Sequence, residues 1–102
     1  MPWNRYVNHH LSEWIGKLES CTIVDAGMGF GRLGFALKLD HPQKDLEIFG
    51  YDCYQPALDY AKSLGNAYTK IENLDIGKEK LPHDDKSVDI AIASGVLAHL
   101  HK

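Results

Sequence analysis

Apolar and polar positions along the chain follow two alternating patterns, one typical of amphipathic helices and one typical of buried strands. Apolar residues recur at spacings of three and four in three stretches, which predicts three helices. These stretches are residues 7–18, 30–39 and 57–64. Short apolar, β-branched runs predict buried strands at residues 21–26, 46–52 and 88–93, with a more polar strand at 68–75. The pattern from residue 96 onward predicts the start of one more helix.

The order of these elements predicts the fold. Strands and helices alternate with short connections, which favours a parallel sheet with right-handed crossovers. We expect a Rossmann-like α/β fold with strand order 3-2-1-4 and helices on both faces of the sheet. Folds of this kind bind ligands where the strand order reverses, which here is between the first and fourth strands. Because no repeat or linker divides the sequence, we expect one domain over residues 1–102.

Composition and charge narrow the classes of protein. The chain has 14 acidic and 11 basic residues, and no run of bases forms a nucleic-acid-binding footprint. No apolar stretch approaches the roughly 20 residues that span a membrane, and the first residues lack the apolar core of a secretory signal. We therefore expect a cytoplasmic protein. The spacing of Cys21 and Cys53 predicts reduced thiols, and the histidine spacing predicts no metal site.

A glycine-rich loop follows the first predicted strand and is the strongest chemical signal in the sequence. Gly27, Gly29 and Gly31 alternate there, and missing Cβ atoms allow a tight turn and close approach of a ligand. Residues 29–34 also spell G-x-G-x-x-G, so a dinucleotide site is one alternative. Asp25, however, would repel a pyrophosphate over the following helix, which favours a positively charged ligand. S-adenosylmethionine has an ammonium and a sulfonium group and no phosphate, so it suits this carboxylate.

Further candidate contacts follow the second and fourth predicted strands. Asp52 ends the second strand and is placed to accept hydrogen bonds from vicinal ribose hydroxyls, a role that serves either ligand. Cys53 is a candidate for the adenine pocket, although a free cysteine most often behaves as a small buried hydrophobe. Ser94 and Gly95 come directly after the fourth strand, at the sheet edge that faces the ligand.

Four motifs in the expected order resemble those of the class I S-adenosylmethionine-dependent methyltransferases. They are residues 24–31, residues 50–52 with Pro56 and Ala61 behind them, residues 73–76, and residues 81–100. The resemblance implies that Asp75 meets the adenine amino group and that Ile76 contacts the adenine ring. The complete set of expected cofactor contacts is Asp25, Ala26, Gly27, Gly29, Gly31, Asp52, Cys53, Asp75, Ile76, Ser94 and Gly95.

The resemblance also implies an activity, namely methyl transfer to an acceptor that we expect to be a small molecule. No catalytic residue is identified. His99 is a candidate base because the ordinary pKa of histidine, about 6.5, suits proton transfer at neutral pH. A surface or helix-capping histidine is the favoured interpretation.

The family usually continues through further strands after the fourth, so we expect this domain to be incomplete at its C-terminus. An unpaired edge on the fourth strand would then invite a homodimer or a partner chain. Two alternatives to the methyltransferase stay open. One is a noncatalytic cofactor-binding half-domain or interaction subunit, and the other is an NAD-binding domain.

Overall fold

The computed structural model describes residues 13–65, 67–75, 78, 82–84, 87–93 and 96–100. Residues 13–16 are helical, within the first predicted helix. The strands are β1 (Ser20–Ala26), β2 (Asp45–Asp52), β3 (Lys70–Asn73), β4 (Ile90–Ala93) and β5 (Val96–Leu100), and the helices are α1 (Arg32–Asp40) and α2 (Gln55–Ser63). None of the helices in these ranges is long and apolar enough to cross a membrane.

The five strands form one sheet in the order β3-β2-β1-β4-β5. The first four pair in parallel, so the predicted order 3-2-1-4 is confirmed. Ala26 at the end of β1 lies between Tyr51 of β2 and Ala93 of β4. The carboxyl ends of the three central strands therefore meet at one edge of the sheet.

The last described segment differs from the prediction. Residues 96–100 form β5, antiparallel to β4, rather than the start of a helix. So short an apolar segment has no periodicity that separates helix from strand, and pairing with β4 gives its backbone groups partners. The expectation of a free β4 edge, open to a homodimer or a partner chain, is therefore wrong. The outermost described strands are β3 and β5.

Helices α1 and α2 pack on the same face of the sheet. One apolar cluster contains Leu37 of α1, Leu58 and Ala61 of α2, and Ile23, Ile48, Ile90 and Ile92 of the strands. The expected arrangement with helices on both faces is thus not found in the described part of the chain. The reason is handedness. The crossovers from β1 to β2 and from β2 to β3 step the same way along the sheet, so right-handed connections place both helices on one side.

The opposite face of the sheet meets the connection between β3 and β4, which returns across the sheet in the other direction. Val24 and Tyr51 pack there with Val88. The His83 ring lies 4.8 Å from the Phe49 ring and forms a 2.5 Å hydrogen bond with the Tyr51 hydroxyl. This connection therefore contributes a second, smaller apolar cluster.

Asp89 joins the start of β4 to β1. Its carboxylate accepts a hydrogen bond from the Thr22 N–H at 2.8 Å, and its own N–H donates to the Thr22 carbonyl at 2.9 Å. Asp89 therefore links the two strands through one side-chain and one backbone hydrogen bond.

Candidate functional site

The glycine-rich loop connects β1 to α1 and folds over the end of β2. Gly27, Gly29 and Gly31 have φ angles of 78°, 57° and 86°, a region that favours glycine. The N–H groups of Gly27 and Met28 donate to the Tyr51 carbonyl at 2.7 and 3.0 Å. A Cβ atom at Gly29 would have no neighbour within 4 Å, so the loop is open at this residue. A ligand can therefore approach the backbone there.

Asp52 holds this loop from the end of β2. One carboxylate oxygen accepts a hydrogen bond from the Gly29 N–H at 2.9 Å, and the other accepts one from the Tyr54 N–H at 3.0 Å. Each carboxylate oxygen has a second lone pair, so Asp52 can hold the loop and still accept a hydroxyl hydrogen bond. Its place beside the open glycine agrees with the predicted contact to ribose, which itself stays a prediction.

Asp25 is buried beneath the same loop, with 2% of its surface exposed. The Tyr68 hydroxyl donates to its carboxylate at 2.7 Å. Burial raises the pKa of Asp25 to about 6; the hydrogen bond from Tyr68 opposes the rise and the charge of Asp52 adds to it. The carboxylate faces Tyr68 rather than solvent. Its influence on a ligand above the loop is therefore electrostatic, and a direct contact stays a prediction.

Tyr68 is a buried residue of this region that sequence reasoning missed. The pattern placed it only at the start of the third strand, whereas the structure places it before β3. Its hydroxyl accepts a hydrogen bond from the Gly34 N–H at 3.1 Å as well as donating to Asp25. Gly34 lies inside α1, and a Cβ atom there would overlap the Tyr68 ring, so this glycine allows the ring to pack against the helix backbone. The sequence did not say which ring would pack there.

The other predicted contacts divide into three groups. Ala26 and Cys53 lie with the glycine loop at the ends of β1 and β2, and Cys53 is exposed rather than buried. Asp75 is half-buried and follows β3 by two residues. The predictions for Ile76, Ser94 and Gly95 lie outside the described residues.

Within the described residues, the cysteines and the acidic residues show no sign of a metal centre. Cys21 and Cys53 are both free, and burial raises the pKa of the Cys21 thiol to about 12. Among the described residues, no group of three or more His, Cys, Asp or Glu side chains is arranged to hold a metal ion.

Comparison with known proteins places this loop in context. The family model described as a methyltransferase domain matches residues 23–102. A TehB-like S-adenosylmethionine-dependent methyltransferase from Corynebacterium glutamicum has a similar structure, with a TM-score of 0.63 and 23% identity over 80% of this chain and 42% of that one. A protein of Methanococcus maripaludis described as an S-adenosylmethionine-dependent methyltransferase has a TM-score of 0.63 and 22% identity, covering 85% of this chain and 39% of its own.

A third structure contains a partner protein. It is a complex between the Haloferax volcanii Trm112 methyltransferase activator and a protein described as a methyltransferase, with a TM-score of 0.61, 26% identity, and coverage of 89% of this chain and 38% of that one. This chain thus spans about two fifths of the length of the three structures. No curated relative matches its sequence. Because the family model covers most of the chain, the chain belongs to the class I S-adenosylmethionine-dependent methyltransferases, whose cofactor is S-adenosylmethionine.

Proposed function

We propose that this chain binds S-adenosylmethionine at the carboxyl ends of β1 and β2 and takes part in transferring its methyl group to a small-molecule acceptor. The observation that carries the proposal is the hydrogen bond from the N–H of Gly29 to the Asp52 carboxylate. Gly29 is a loop glycine at which an added Cβ would have no neighbour within 4 Å. A backbone open to a ligand and a carboxylate suited to ribose hydroxyls thus lie side by side. Both are features that an adenosyl ligand requires.

The charge beneath the loop favours this ligand over a dinucleotide. At neutral pH the buried Asp25 carries a negative charge, since its pKa is about 6. That charge attracts the ammonium and sulfonium groups of S-adenosylmethionine and opposes a pyrophosphate at the adjacent helix start. The NAD-binding alternative is therefore disfavoured.

The remaining contacts are proposed from the position of each residue in the sequence relative to the strands. Asp75 and Ile76 come after β3 in the sequence, and we assign them to the adenine. Cys53 comes directly after Asp52 at the end of β2, and we assign it to the same part of the cofactor. Ser94 and Gly95 follow Ala93, which pairs with Ala26 at the end of β1. We assign these two to the methionine portion of the cofactor.

The chemistry depends mainly on position. S-adenosylmethionine supplies a methyl group that its positively charged sulfur already activates. The contribution of the protein is to hold donor and acceptor in line and close together, an effect worth about 7 to 11 kcal/mol in favourable systems. The glycine loop and Asp52 would fix the donor side of that arrangement.

A partner chain belongs to the same proposal, because the Haloferax volcanii protein of similar structure was solved in complex with an activator protein. The mass of the chain in solution, alone and with candidate partners, tests this part. A monomer that binds the cofactor and turns over acceptor unaided would contradict it.

Calorimetric titration with S-adenosylhomocysteine, the demethylated product, tests the binding proposal, with NAD as the control ligand. We expect saturable binding of the first and none of the second. Asp52→Ala should weaken binding roughly 10- to 100-fold, the effect of losing hydrogen bonds to a charged group. Asp45→Ala, an exposed carboxylate at the opposite end of β2, should bind as the wild type does.

Asp52→Ala removes both the charge and the hydrogen-bonding atoms of the side chain. Asp52→Asn separates these two effects, because it removes the charge and keeps the shape of the side chain. Binding of NAD without binding of S-adenosylhomocysteine would overturn the proposal. Equal affinity of Asp52→Ala and wild type would remove Asp52 from the site. Binding with no turnover of any acceptor would instead favour the noncatalytic cofactor-binding alternative.

A further inference from the structure

Helix α1 begins without the side chain that ordinarily caps a helix. The first N–H groups of a helix have no acceptor within it, and a Ser, Thr, Asp or Asn side chain at the N-cap commonly accepts one of them. The N-cap of α1 is Gly31, which has no side chain and adopts a left-handed conformation with φ of 86°. The N–H of Gly34, three residues further on, therefore needs an acceptor from elsewhere in the fold.

Tyr68 supplies that acceptor from a distant part of the chain. Its hydroxyl accepts from the Gly34 N–H at 3.1 Å and donates to the Asp25 carboxylate at 2.7 Å, and both hydrogen bonds are buried. One hydroxyl group therefore connects the end of β1 to the first turn of α1. The glycine loop is the segment between these two attachment points.

The space for the Tyr68 ring is created by glycines. A Cβ atom at Gly34 would overlap the ring, one at Gly50 would lie 2.8 Å from it, and one at Gly31 would lie 3.2 Å from it. Real Cβ atoms essentially never make contacts below 3.0 Å, so a larger residue at either of the first two positions would require the ring to move, and at Gly50 the Met28 side chain as well. The ring and these glycines thus form a matched set beneath the loop.

We propose that Tyr68 is the positioning residue of the cofactor site. It acts as a remote N-cap for α1 and as an anchor for Asp25, and it thereby holds the glycine loop in the conformation that receives the cofactor. The inference rests on the proposed function for the identity of its ligand. Tyr68 contacts Asp25 and the first turn of α1, between which the loop lies, and would act on the cofactor only through them.

The surroundings of Asp25 make this role measurable. Among the described residues, the ionisable groups that act on Asp25 are Tyr68 and Asp52 of β2. From its other neighbours, α1 contributes the Gly34 N–H through the Tyr68 hydroxyl, and β4 contributes the apolar Ile92 beside it. The hydroxyl lowers the pKa of Asp25 against the effect of burial, so its removal should raise that pKa.

The test compares Tyr68→Phe with Tyr60→Phe in the 102-residue chain. Both substitutions delete one hydroxyl, but Tyr60 lies on α2 and is 52% exposed. We expect Tyr68→Phe to weaken S-adenosylhomocysteine binding roughly 10-fold, because a loop without this anchor would occupy its receptive conformation only about a tenth of the time. In the ligand-free protein, the carboxyl-carbon titration of Asp25 should move to higher pH and amide exchange at Gly34 should accelerate. Tyr60→Phe should change none of these.

Each outcome decides the inference. A Tyr68→Phe chain with a lower melting temperature, but with the affinity and the Asp25 titration of the wild type, would make Tyr68 a packing residue only and overturn it. If the wild type does not bind S-adenosylhomocysteine, the proposed function fails, while the ligand-free titration and exchange still test the link from Asp25 to Gly34. If Tyr68→Phe does not fold, the wild type decides. The chemical shifts of the Asp25 carboxyl carbon and of the Gly34 amide should then change with pH at one common midpoint, and independent midpoints would refute the link.

Discussion

The buried carboxylate of Asp25 should make the stability of the protein depend on pH in a defined direction. Burial raises its pKa from 3.8 to about 6. Between these values the native carboxyl group holds its proton more tightly than the unfolded chain does. The free energy of unfolding therefore falls as pH rises through this interval and levels off above pH 6. A shift of this size corresponds to about 3 kcal/mol.

Asp25→Asn removes the charge and keeps an oxygen that can accept the hydrogen bond from Tyr68. We therefore expect the free energy of unfolding of the variant, relative to that of the wild type, to increase as pH rises. The difference in unfolding free energy should change by about 3 kcal/mol in favour of Asn between pH 4 and pH 7. Urea unfolding at several pH values measures it, with Trp14, which packs against the main apolar cluster, as the fluorescent reporter.

Asp45→Asn provides the matched control, because this carboxylate is exposed at the start of β2. Its difference from the wild type should stay nearly constant over the same pH range. A constant difference for Asp25→Asn as well would refute the reasoning, since it would mean that the native carboxylate is not penalised by burial. A buried carboxylate with a raised pKa beneath a ligand-binding loop is typical of a functional site.

Three further substitutions test the loop and the sheet. Gly29→Ala should cost about 1 kcal/mol of backbone strain, because the φ of Gly29 is 57°. Its loss of binding free energy for the cofactor should exceed its loss of unfolding free energy. Gly34→Ala should lower the free energy of unfolding by about 1 to 3 kcal/mol, because its Cβ overlaps the Tyr68 ring; a wild-type urea midpoint would contradict this packing. Asp89→Ala should cost about 1 to 3 kcal/mol by leaving the Thr22 N–H without its acceptor, and unchanged thermal unfolding would show that water replaces it.

Local pattern was sufficient for much of this fold. The apolar runs and their spacing predicted the four parallel strands and the helices between them, because burial on one or both faces leaves a periodic trace in the sequence. The right-handed crossover rule then gave the strand order, and the end of each strand located Asp25, Asp52 and the glycine loop at one edge. These features depend on neighbours within a few residues, or on a rule that holds for nearly every fold of this class.

Tertiary structure alone decided the remaining features. Residues 96–100 pair with β4 as a strand because a partner edge is available, and a five-residue segment does not encode that choice in its own periodicity. Tyr68 meets Gly34 and Asp25 across 34 and 43 positions of sequence, so no local pattern marks it as the acceptor that α1 lacks. The burial that raises the pKa of Asp25 likewise exists only once the helices, the loop and the sheet have closed around it, because desolvation is a property of the packed interior.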